Sequence, residues 1–129
     1  MSRFSMIVSA CMAVAMVWSI GCGKEETAPA ASQSYEPPVF ESPDLIQGRA
    51  IWMESCARCH RTGREDSPRL GDKDEWAPRI AQGLETLYAR SIEGYTNDLG
   101  DEMPPRGGNP DLSDEDVKTA VRYMVEASQ

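Results

Sequence analysis

The sequence predicts an all-α domain carried behind an export signal and a tether. Within residues 42–129, apolar residues recur at spacings of three and four, and no segment alternates apolar with polar as a half-buried strand does. The last periodic segment also carries a full set of helix-start signals. The 129 residues are about one domain's worth, their 40% hydrophobic share and three Trp can fill a core, and no internal repeat divides them.

The chain starts with Arg3 followed by an uncharged, mostly apolar run from Phe4 to Ile20 that ends in the small residues Gly21 and Cys22. That is the layout of a secretory signal over residues 1–21. The run falls short of the ~20 apolar residues that cross a bilayer comfortably, and Ser9, Cys11 and Ser19 interrupt it, so export ranks above a retained membrane helix. Residues 23–41 read GKEETAPAASQSYEPPVFE, rich in Ala, Pro, Ser and Glu with no apolar period, as expected of a solvated tether. As a flexible coil this stretch would span roughly 25 Å. The expected organisation is a signal at 1–21, Cys22 and a tether at 22–41, and one domain at 42–129.

Regular structure is predicted to begin at Ser42-Pro43, a capping residue before a proline suited to the first helical position. Leu45, Gly48, Ile51 or Trp52 then recur at helical spacing, and this first helix ends at Cys56-Ala57-Arg58-Cys59-His60. Between Asp74 and Tyr95, Trp76, Ile80, Leu84, Leu87, Tyr88 and Ile92 mark short helices broken at Gly83 and Gly94. A loop rich in Gly, Pro and Asn runs from Thr96 to Leu112. Ser113 then caps the last helix, with Asp116 in the capping-box position and Asp114 and Glu115 at its positive end. Val117, Ala120, Val121 and Met124 form its apolar face.

Of the four cysteines, Cys11 and Cys22 belong to the signal region and leave Cys56 and Cys59 as the only pair in the domain. An exported protein would oxidise such a pair unless it had another use, and His60 points to one. Cys-x-x-Cys-His is the haem-attachment pattern: two thiols on one turn can add to neighbouring vinyl groups of one porphyrin, and the next residue brings its imidazole under the iron. A redox dithiol usually sits beside a βαβ pattern, absent here, and a zinc site needs further ligands where His60 is the only His.

With one His, a second imidazole cannot complete the coordination, so a protein-supplied sixth ligand would be a Met thioether. Met53 and Met124 read as core residues. Met103 lies in a loop and is followed by Pro104-Pro105, which force extended backbone and fix its direction. A His/Met iron favours the reduced state, and with both axial positions filled it suits electron transfer over small-molecule chemistry.

From about Asp44 to Met124 the chain resembles class I cytochromes c, and most closely the cytochrome c5 family. The resemblance rests on Cys56-Ala57-Arg58-Cys59-His60, Ser67-Pro68-Arg69-Leu70-Gly71-Asp72, Trp76-Ala77-Pro78-Arg79 and Met103-Pro104-Pro105-Arg106-Gly107-Gly108 leading into Leu112-Ser113-Asp114. It implies a mono-haem electron carrier with one covalent haem c on Cys56 and Cys59 and with His60 and Met103 as axial ligands. It further implies that the Pro68 carbonyl accepts from the other His60 ring nitrogen, and that Trp76 and Arg79 lie beside the haem propionates. Gly48, Trp52 and Tyr123 would serve where the first and last helices cross. One departure is plain: members of the c5 family often carry two further cysteines before the last helix, and Gly108-Asn109-Pro110-Asp111-Leu112 has none.

Ser19-Ile20-Gly21-Cys22 resembles a bacterial lipoprotein site, although Ser19 stands where Leu is usual. Lipidated Cys22 would hold the domain on the periplasmic side of a membrane; cleavage near Gly21 would leave it soluble in the periplasm. A net charge of −8 excludes a nucleic-acid or anionic-membrane surface binder. Around the attachment site Arg58, Arg61, Arg64, Arg69 and Arg106 outnumber Glu65 and Asp66, so an Arg-rimmed haem edge facing an acidic patch on a redox partner is expected. The expected function is that of a monomeric electron carrier, not an enzyme. The alternative is a haem sensor, or an accessory subunit of a redox enzyme, with an open sixth coordination site.

Overall fold

Ser42 and Pro43 start the first helix where the sequence places it: Ser42 is extended, Pro43 takes the first helical position, and α1 runs Pro43–Ile51. A computed structural model of the protein describes residues 35–129. The expected signal at 1–21, Cys22 and the expected tether as far as residue 34 lie outside the described residues. Helix α1 continues into one wider turn, Trp52–Cys56, in which the Ala57 N–H reaches back five residues to the Trp52 carbonyl, and then into α2, Ala57–His60. A short 3₁₀ turn, Arg64–Asp66, leads to α3, Lys73–Ile80, and α4, Leu84–Glu93. Gly83 and Gly94 flank α4 with φ of 87° and 89°, the left-handed side that glycine adopts without a Cβ penalty.

Two strands of two residues each, β1 Tyr95–Thr96 and β2 Glu102–Met103, pair antiparallel with Tyr95 opposite Met103. This corrects the expectation of a strand-free loop, because a ladder so short leaves no alternation to read. A second 3₁₀ turn spans Pro105–Gly108, and α5 runs Asp114–Glu126. Its capping box is complete, with Asp116 N–H donating to Ser113 Oγ and Ser113 N–H to the Asp116 carboxylate. Among the described residues no helix is long and apolar enough to cross a membrane.

The core lies where α1 crosses α5. Trp52 and Tyr123 are fully buried with ring centroids 5.9 Å apart, and Val117, Val121, Met124 and Val125 extend the apolar layer. Gly48 allows the approach: a Cβ there would stand 2.5 Å from the Thr119 carbonyl oxygen and 2.8 Å from Tyr123 Cβ. Met53, expected in the core, is 46% exposed. One step beyond Trp52 turns the side chain by ~100° about the helix axis, which carries it off the inward face.

The tether expectation is corrected over its last seven residues, 35–41. Phe40 stands edge-on to Tyr123 with centroids 5.9 Å apart, Tyr123 O–H donates to the Pro38 carbonyl at 3.0 Å, and Pro37 is buried. The Tyr35 ring fills the space beside Gly71. Polar composition drew these residues into the tether, but Tyr35, Pro37 and Phe40 bring enough apolar surface to dock the segment.

Candidate functional site

His60 ends α2 and is buried, 7% exposed. Its Nδ1 lies 2.8 Å from the Pro68 carbonyl oxygen, which can only accept, so Nδ1 carries the proton and Nε2 keeps its lone pair. Burial, joined by the charge of Arg79, holds the His60 pKa below the usual histidine value, against the opposing pull of the Pro68 carbonyl. The Leu70 N–H donates to the His60 carbonyl at 2.7 Å, fastening the Ser67–Leu70 segment to the end of α2.

Trp76 packs its indole beside the imidazole with centroids 6.3 Å apart, and its Nε1–H donates to the Arg69 carbonyl at 2.7 Å. Trp76 therefore offers the site its ring face, its one donor being taken by the main chain. Asp72 caps α3 by accepting from Glu75 N–H, and this start sets Trp76 and Arg79 three residues apart on one side of the helix. An Arg79 guanidinium N–H donates to the Glu75 carbonyl.

These residues line one cavity of about 380 Å³, within the range of small-molecule and cofactor sites. His60, Pro68, Trp76, Arg79 and Met103 all contribute to its wall. Sequence reasoning missed Leu87, Arg90 and Ser91, which stand three and four residues apart on α4 and so share a face, and it placed Met124 in the core without its share of the cavity wall. Arg90 is held across the Tyr95 ring, with its guanidinium carbon 4.2 Å from the centroid, and donates to Gln82 Oε1 at 2.6 Å.

Cys56 and Cys59 are half-buried free thiols on the wide turn and on α2. Burial, with Cys59 adding to it, pushes the Cys56 thiol up to about 11. Cys56 and Met103 share the wall of a second, 20 Å³ apolar space with Val117, Val121 and Met124. The residues present fit a covalently held haem: an imidazole with a free Nε2, a thioether, an aromatic and aliphatic wall and two thiols, one a turn before the histidine and one directly before it.

The Arg rim does not survive as expected. Arg64 lies 3.7 Å from Glu65, Arg69 3.2 Å from Asp72 and Arg106 2.6 Å from Asp114, while Glu65, Asp66, Asp101 and Glu102 also line the large cavity. The charge at the mouth is mixed. Arg58 and Arg61 have no carboxylate within ion-pair reach among the described residues, and Arg61 stands over the Trp52 ring at 5.5 Å.

The family described as cytochrome C oxidase, cbb3-type, subunit III matches residues 43–124. Cytochrome c-555 of Chlorobaculum tepidum is 50% identical over 86 residues, covering 67% of this chain and 79% of that protein. Cytochrome c5 of Azotobacter vinelandii is 37% identical over 79 residues, covering 60% of this chain and 89% of the relative. Among solved structures, a mono-haem ferrocytochrome c from Shewanella putrefaciens superposes with a TM-score of 0.52 at 33% identity, over 63% of this chain and 94% of that one. A chain from an electron transfer complex of nitrite reductase with cytochrome c gives a TM-score of 0.57 at 36% identity, over 64% and 95% of the two chains.

Proposed function

The chain belongs to the cytochrome c family and is a mono-haem electron carrier, and from that premise we propose how its residues hold the haem and where the protein works. Cys56 and Cys59 would hold the haem covalently through thioethers, and His60 and Met103 would supply the imidazole and thioether ligands to its iron. The single observation that carries this reading is the one cavity walled by both a pinned, neutral His60 and Met103. When bound, the haem supplies a one-electron couple at iron.

His60 presents Nε2 in a fixed direction because Pro68 holds Nδ1 and the Leu70 N–H holds the histidine main chain. Met103 offers a thioether, which favours the reduced state and raises the potential. Trp76, Leu87, Val121 and Met124 supply an apolar part of the cavity wall against which a porphyrin face would pack. Arg79 and Arg90 stand in the cavity wall and would meet the propionates with charge-assisted hydrogen bonds.

The protein carries electrons between redox proteins and has no substrate of its own. It is exported, with Cys22 lipidated to hold it on the periplasmic side of a bacterial membrane; the apolar run before Cys22 and the Ile20-Gly21-Cys22 sequence support this placement.

Protein matured in a host with haem-attachment machinery tests the site. Mass spectrometry of the denatured chain should show one haem added, and the reduced protein should refuse carbon monoxide. A bare polypeptide overturns the covalent attachment; covalent haem that takes up carbon monoxide at once overturns Met103 as ligand and favours the open-site alternative.

A further inference from the structure

Met103 is followed by Pro104 and Pro105 and then by a turn in which Arg106, Gly107 and Gly108 have φ of 55°, 65° and 82°. The two glycines adopt this conformation freely, but Arg106 has a Cβ and keeps it only when neighbours hold it. Arg106 is held locally, by Asp114 at 2.6 Å and the Leu112 carbonyl at 2.9 Å, both at the entry to α5. Asn109 reaches elsewhere: its Nδ2–H donates to Ser55 Oγ at 3.0 Å, across 54 residues of chain. Among the described residues this is the one hydrogen bond that joins the loop between β1 and α5 to the helix carrying the cysteines. The Asn109 Oδ1 accepts from Asp111 N–H at 3.1 Å, which fixes the amide so that its donor faces Ser55. Gly107 lies directly over the same turn, since a Cβ there would be 3.5 Å from the Ser55 carbonyl oxygen and 3.9 Å from Cys56 Sγ.

We infer that Ser55 and Asn109 are positioning residues whose hydrogen bond holds the Met103 loop against the attachment helix and so sets how readily Met103 leaves the iron. The inference rests on the axial pair proposed above. Neither residue touches the iron; each acts through the loop that carries Met103. Losing the bond leaves the turn without a hydrogen bond to the helix that carries the cysteines, so the detached state of Met103 becomes more populated, and an external ligand meets less competition.

The test is an imidazole titration of the oxidised holoprotein, followed by the loss of the thioether-to-iron charge-transfer band. Ser55→Ala should bind imidazole roughly fivefold more tightly than the unaltered protein, the share of one lost hydrogen bond. Asn109→Ala should act in the same direction, and the double variant should go no further than Asn109→Ala, since both residues serve one contact. Single variants that stay within about twofold of the unaltered protein overturn the inference while leaving the ligand assignment standing. An unaltered protein that shows no thioether band overturns the ligand assignment itself, and this inference with it.

Discussion

Where α1 crosses α5, order comes from apolar burial and close approach; between β1 and α5 it comes from backbone conformation and a few polar ties. Trp52 and Tyr123 at the crossing are fully buried, whereas no residue of 95–112 is. The loop nonetheless contributes Met103, and its shape depends on glycines with positive φ, on the Arg106–Asp114 pair and on Asn109. The contrast separates two properties that are often treated as one. Damage at the crossing should appear in the stability of the whole domain, and damage in the loop in the ligand balance at the iron.

The largest expected effect is at Gly48. Gly48→Val would press branched carbons against the Thr119 carbonyl and Tyr123, costing about 3 kcal/mol in denaturant unfolding of the holoprotein, with an unaltered spectrum in whatever stays folded. A variant that lost the thioether band before it lost stability would break the comparison. Gly94→Ala is the converse. At φ 89°, with a new Cβ 3.0 Å from Pro105 Cδ and 3.1 Å from the Met103 carbonyl oxygen, it should cost about 1.5 kcal/mol overall yet weaken the charge-transfer band out of proportion.

The smallest effect concerns acid. Hydrogen bonds from the Ser113 side chain and main chain hold the Asp116 carboxyl below the usual carboxylate range. A carboxyl lowered by folding adds stability that is fully present above its unfolded pKa and fades as pH falls through the lowered value. Melting temperatures recorded from neutral to acidic pH should therefore fall less steeply for Asp116→Asn than for the unaltered chain, and parallel curves would assign the acid sensitivity elsewhere.

Much of this was legible in the sequence because its signals are local. Ser42-Pro43, the Ser113–Asp116 capping box and Gly83 and Gly94 each announce a helix end through neighbours within four residues, and each end lies where expected. The His60–Pro68 bond was reached only through resemblance, since nothing local says which carbonyl an imidazole will find. Met53 and the two-residue strands aside, the misses are matters of distant contact. Tyr35 and Phe40 look like tether until Gly71 and Tyr123 provide a surface for them. The Arg rim counted charges along the chain, and Asp72 and Asp114 changed its balance in space.

The wide turn at Trp52–Cys56 has an evolutionary corollary. Such a turn behaves as a helix with one residue inserted, and removing that residue would rotate everything beyond it by ~100° relative to everything before. Trp52 answers to Tyr123 on one side of the turn and His60 to Pro68 on the other, so a single-residue deletion could not satisfy both. Length between these two residues should therefore be guarded more strictly than the identity of Met53 or Glu54 within it, and drift in this helix should proceed by substitution in place of gaps.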